Sequence, residues 1–159
     1  MDKVIFILYG IQLGIISIID GRERRIPNKL LGIALLLFGV VMVWWIGGSD
    51  GVARADLVSG LLHRLGDAAV FLLIFLVFHL LSKNSLGMGD VKLLFVHFVY
   101  LARDMALVSL LLSLIILVLY SLVDVGFRKL RMTKKPKKTD YPFAPFLFIG
   151  YLVLGKLMA

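Results

Sequence analysis

Two acids stand where their surroundings suggest chemistry. Asp90 lies in Ser85-Leu86-Gly87-Met88-Gly89-Asp90-Val91-Lys92-Leu93-Leu94, set between flexible glycines and an apolar stretch. Asp20 closes the first apolar run and is followed by Gly21-Arg22-Glu23-Arg24-Arg25-Ile26-Pro27-Asn28. A carboxylate at membrane depth costs about 2.5–3.5 kcal/mol on insertion scales and generally faces a protein interior or a water-filled cavity. Two of them close together cannot both ionise cheaply, so the pair shares a proton: one member takes a proton from water while the other gives one to a carbonyl. That is the chemistry of aspartyl hydrolysis, with water as nucleophile and no metal or other cofactor required.

The neighbours of the two acids suit this chemistry. Gly87 and Gly89 lack Cβ, which lets the chain leave helical geometry and lets an extended peptide come close to Asp90. Unwound backbone at membrane depth is tolerated beside a cavity or within protein. Pro27, behind an Ile biased towards extended structure, suits the point where the chain re-enters as a second helix, and Asn28 is placed to satisfy exposed backbone groups there. Lys92 can snorkel to the interface or act electrostatically on Asp90.

The elements that must hold these residues are membrane helices. The chain has 159 residues, enough for one domain (1–159), and 60% of them are hydrophobic, well outside the usual soluble range. Six candidate spans follow from the apolar stretches: Val4 to Ile19, Leu30 to Ile46, Leu65 to Leu81, Gly87 to Leu101, Met105 to Val123 and Pro142 to Leu157. The first lacks the strong basic n-region and the cleavage site of a signal peptide and reads as a retained helix. The fourth reaches adequate length only by including Asp90, Lys92 and His97, so it is either embedded among other helices or partly broken. With no cysteine in the chain, disulfides, thiolate zinc sites and cysteine nucleophiles are excluded.

The charge of +8 is topological and not a nucleic-acid footprint. Of 18 Lys and Arg residues, 13 follow spans one and five or bracket the glycine motif, among them Arg22, Arg24, Arg25, Lys29, Lys92 and the Lys134-Lys135-Pro136-Lys137-Lys138 run, and five lie on the other side. The positive-inside rule then puts both termini outside and Asp20 and Asp90 together on the cytoplasmic face of a multi-pass protein. The polybasic run suits anionic lipid. Trp44 and Trp45 close span two as interfacial anchors.

Competing readings attach to several residues. Asp20 taken alone is more often a helix-end acid paired with nearby arginines, Asp67 and Asp124 read as span-edge acids with Asp124 the reserve on the cytoplasmic side, and His63, assigned to an external loop, His79 and His97 form no metal motif. Intramembrane acids and broken helices also build ion paths, so a small proton-coupled transporter or channel is the alternative from another class.

Three segments together resemble the type IV prepilin peptidases, the aspartyl membrane proteases that include preflagellin peptidases: Asp20 with Arg25-Ile26-Pro27-Asn28; Gly87-Met88-Gly89-Asp90-Val91-Lys92-Leu93-Leu94; and Tyr141-Pro142-Phe143-Ala144-Pro145-Phe146-Leu147 with Gly150. The resemblance implies an all-α peptidase of about six transmembrane helices with the GxGD-type aspartyl protease fold and Asp20 and Asp90 as catalytic dyad. Gly87, Gly89, Lys92, Pro27, Asn28, Pro142 and Pro145 are its expected supports. It implies cleavage of a short basic leader from prepilin-like precursors (type IV pilin, Flp pilin or archaellin type) on the cytoplasmic side of the cell membrane. The larger members carry a cysteine-bearing methyltransferase insert, which this chain lacks, so the resemblance is to the minimal form. The presenilin group shares Gly-x-Gly-Asp, but its first acid follows a Tyr, where Ile19 stands here, and its Pro-Ala-Leu is absent.

Overall fold

A computed structural model describes residues 2–81, 87–130 and 141–158; the Lys134 to Lys138 run, Lys83 and Arg131 lie outside them. Among the described residues the chain forms six α-helices: α1 (Asp2–Glu23), α2 (Asn28–Gly47), α3 (Gly51–Leu81), α4 (Met88–Tyr100), α5 (Arg103–Leu130) and α6 (Ala144–Met158). Four of them, α1, α2, α3 and α5, are long and apolar enough to cross a membrane.

Helical periodicity decides which residues face inward. On α1 the buried stripe is Ile5, Tyr9, Leu13 and Ile16, and its next step is Asp20, while Val4, Ile7, Ile11, Ile15 and Ile18 of the same helix are exposed. Steps of three and four residues keep one face of a helix together. The spacing that buries the apolar stripe therefore also delivers Asp20 inward. On α2 the stripe is Leu31, Ala34, Phe38 and Met42. On α6 it is Ala144, Leu147, Tyr151 and Leu154.

The fourth span is embedded and not broken. α4 has only 13 residues, about 20 Å at 1.5 Å per residue, short of a bilayer. Eight of its residues, Val91, Leu93, Leu94 and Val96 to Tyr100, are buried. Phe98 stacks on Phe71 of α3 with ring centroids 4.0 Å apart, and Tyr100 stacks on Tyr9 of α1 at 4.8 Å. Three polar side chains of this core are paired. The His97 Nε2–H donates to the Ala106 carbonyl (3.2 Å), which leaves Nδ1 to accept from the Tyr9 hydroxyl (2.8 Å), and the Tyr100 hydroxyl donates to the Ala34 carbonyl (2.6 Å). Away from water such bonds have no solvent competitor, and leaving their groups unmade is costly.

α3 departs from its expected span. It starts at Gly51, not Leu65, and runs 31 residues, about 46 Å. His63 is consequently an exposed helical residue and not a loop residue, and Asp67 lies mid-helix. Hydropathy stops at Arg64, but helical hydrogen bonding has no such limit. The half-buried positions Leu57, Leu61, Arg64, Phe71 and Phe75 share one face with buried Ala68, so the same stripe runs through both parts. Arg64 uses that register to donate to the Tyr100 carbonyl at the C-terminus of α4 (3.1 Å).

α6 is wedged between α1 and α5. Phe6 of α1 stacks on Tyr151 (4.3 Å), and the bare faces of Gly10 and Gly14 receive Tyr151 and Phe148. Gly155 packs on Phe6, so the start of α1 and the end of α6 lie at one end of the bundle, away from Asp20.

Candidate active site

Asp20 sits in the last turn of α1, where the negative pole of the helix dipole opposes a carboxylate. The opposition is offset by α6. Its first residue, Ala144, donates its backbone N–H to Asp20 Oδ2 at 3.1 Å, and Phe143 supplies a further backbone hydrogen bond. The N-terminal amides of a helix have no partner within the helix and carry its positive pole. Asp20 is thereby held at 5% exposure, with no ion-pair partner among the described residues.

The segment that supplies these amides is built by its prolines. Phe143 caps α6 through its carbonyl, which accepts from Phe146 and Leu147 (both 3.1 Å), and Pro145 occupies the first turn, where a missing N–H leaves no bond unmade. Pro145 also lies against Gly21, next to Asp20. Pro142 and Pro145 bracket the backbone amides that make the contact with Asp20.

Asp90 stands at the opposite kind of helix end. Gly87, extended at φ −62° and ψ 137°, is the N-cap of α4, and its carbonyl accepts from Asp90 N (3.0 Å) and Val91 N (3.2 Å). Asp90, three residues on, returns its carboxylate to the Gly87 backbone N–H. This is the acid half of a capping box only, since Gly87 has no side chain to supply the other half. It leaves Asp90 half-buried at the positive pole of α4. A Cβ on Gly87 would lie 3.0 Å from Asp90 Oδ2, and one on Gly89 would lie 3.2 Å from Ile26 Cβ. A Cβ at either position would make its neighbour give by a few tenths of an ångström; neither glycine adopts a positive φ.

The α1–α2 connection brings the two acids to the same end. Arg24 takes the left-handed region (φ 52°) and donates its N–H to the Asp20 carbonyl (2.9 Å), which ends α1. The chain then runs extended to Pro27, the N-cap of α2, and seats Ile26 on Gly89 in the first turn of α4. Asp20 and Asp90 are in electrostatic interaction across this junction.

Two expected supports behave differently. Lys92 lies two positions beyond Asp90, roughly 200° round the helix, so its side chain points elsewhere. Its Nζ donates to Asn28 Oδ1 at 3.1 Å, which ties α4 to α2. Asn28 accordingly makes an interhelical bond and is not a cap; α2 has no side-chain cap. The pair stands beside a groove of about 390 Å³ between α2 and α4, floored by Leu31, Gly32, Leu35, Phe95 and Val96. Among the described residues no three metal-ligating side chains gather.

The contribution of Ala144 and Phe143 was invisible in the motif, because a backbone donor leaves no side-chain signature. Its one sequence signal is the Pro-x-x-Pro start of a helix, which implies free N-terminal amides.

Comparison with known proteins gives one result. The model of the type IV leader peptidase family matches residues 7–122, a stretch that contains both aspartates and ends before Tyr141. No curated protein and no solved structure matches the chain. The family match takes in most of the chain, so the protein with these paired acids is a multi-helix membrane aspartic peptidase belonging to the type IV leader peptidase family.

Proposed function

We propose that the chain is a single transmembrane peptidase domain in which Asp20 and Asp90 activate water to cleave the short basic leader of prepilin-like precursors. The observation that carries this reading is that a buried and a half-buried carboxylate, each oriented by helix N-terminal amides, come to one end of the bundle with Asp90 within the field of Asp20. One carboxylate accepts a proton from water as its oxygen attacks the scissile carbonyl, and the other donates a proton to the carbonyl oxygen. As the tetrahedral intermediate collapses, the proton passes to the leaving amine. Fixed amides hold the acids through both steps, so little reorganisation is needed at the moment of reaction.

The side on which cleavage occurs follows from charge. Arg22, Arg24, Arg25, Lys29 and Lys92 belong to the segments around the two acids, and the positive-inside rule assigns that end to the cytoplasm. Both termini are then outside. The partners are the precursor and the surrounding anionic lipid.

The test is cleavage of a precursor-like peptide, with a basic leader and a glycine at the junction, by the protein in detergent beside Asp20→Asn and Asp90→Asn. Each substitution should abolish cleavage while thermal unfolding stays close to wild type. Normal processing by both variants would remove the dyad from the mechanism.

A further inference from the structure

One face of α5 follows α6 towards the site. Ser109 and Ser113 receive Gly150, and about two turns further on Tyr120 packs edge-on to Tyr141 (5.6 Å, 89°) and against Phe146 (5.3 Å). One turn beyond Tyr120, Asp124 Oδ2 accepts the Tyr141 hydroxyl at 2.5 Å. A carboxylate within an apolar span needs such a partner. Asp124 lies in α5, within its candidate membrane span Arg103–Phe127, and Tyr141 is three residues from the amide that binds Asp20.

Little slack separates those two points. Pro142 fixes its own φ and restricts Tyr141 to extended backbone, and Pro145 stiffens the first turn of α6. A displacement of Tyr141 is therefore transmitted to Phe143 and Ala144. We propose that Asp124 and Tyr141 form a positioning pair that aims the Ala144 amide at Asp20, the role of Asp124 being neither catalytic nor confined to holding α5 and α6 together. This rests on the reading of Asp20 as a reacting group, and it gives the acid set aside as a reserve a function in the same site.

The experiment compares wild type with Tyr141→Phe, Asp124→Ala, Asp124→Asn and the Tyr141→Phe/Asp124→Ala double variant, scored by kcat and KM for precursor cleavage and by amide hydrogen exchange. Losing the hydroxyl or the acceptor should lower kcat about tenfold with KM within about twofold, because misplacement acts on the chemical step. Asp124→Asn keeps an acceptor oxygen and should retain kcat within about threefold. The double variant should be no slower than the worse single one, since both remove one bond. Tyr141→Phe should also speed exchange of the Phe143 and Ala144 amides about tenfold while leaving α4 unchanged.

Wild-type kcat in Tyr141→Phe, a loss confined to KM, multiplying losses in the double variant, or an Asp124→Asn as slow as Asp124→Ala would each overturn the pair. If the wild-type protein cleaved no precursor, the proposed function would fail separately, and the exchange rates would still decide whether the pair holds the Ala144 amide.

Discussion

Gly150→Ala offers the sharpest test of how the site is held. A Cβ built on Gly150 would lie 2.2 Å from Ser113 Oγ, 2.7 Å from the Ser109 carbonyl oxygen and 2.8 Å from Ser113 N, where ordinary contact begins near 3.4 Å. The serine hydroxyl can rotate away, giving up its 2.6 Å bond to the Ser109 carbonyl at a cost of about 1 kcal/mol. The other two atoms are backbone, so α5 and α6 must part by about 0.6–0.7 Å, an overpacking that costs roughly 1–3 kcal/mol. Ala144 lies about 9 Å along α6 from Gly150. If α6 moves as a body it is driven towards α1, and the 3.1 Å bond from Ala144 to Asp20 is displaced by up to about 0.6–0.7 Å from its hydrogen-bond geometry. Cleavage should then fall roughly ten- to a hundredfold in kcat. Gly39→Ala, on a face of α2 with nothing within 4 Å, serves as control and should be neutral or stabilising. Adding Ser113→Gly should not rescue the variant, because the remaining clashes are with backbone. Wild-type kcat and melting temperature in Gly150→Ala, measured in the same detergent, would refute the claim that α5–α6 spacing sets the position of Asp20.

Three further outcomes are expected. Gly87→Ala keeps an allowed φ of −62° but puts a Cβ 3.0 Å from Asp90 Oδ2; kcat should drop about tenfold with stability within about 0.5 kcal/mol, as read by cleavage and thermal unfolding. His97→Leu strands the Tyr9 hydroxyl and the Ala106 carbonyl and should destabilise the fold by about 2–4 kcal/mol while the folded fraction keeps its activity, as activity normalised to folded protein will test. Because the two acids act in opposite protonation states, activity should fall at low pH when both are protonated and at high pH when both are ionised; a flat profile with chemistry rate-limiting would oppose the shared proton.

The two acids were legible in the sequence because an ionisable group inside an apolar stretch is conspicuous. The number of helices was legible for the same reason, and so was the common end of Asp20 and Asp90, which loop charge alone assigned. Boundaries were not. α3 extends 14 residues before the expected Leu65, since a helix stops where its backbone bonds stop and not where its side chains turn polar. Lys92 and Asn28 were found as a pair of interest, but their bond to each other, in place of an electrostatic role and a cap, depended on how α2 and α4 cross.

By itself, then, the sequence determined a membrane-spanning helical chain with two candidate acids, glycines beside one of them and a proline-bounded segment near the other end. These are local properties: hydropathy, φ restriction and charge act over a few residues. The tertiary structure alone decided that the amides of Phe143 and Ala144 hold Asp20, that Gly150 sets the distance between α5 and α6, and that Asp124 meets Tyr141. The first two act through backbone atoms or the absence of a side chain and the third through a side-chain bond between distant positions, and none leaves a pattern along the chain.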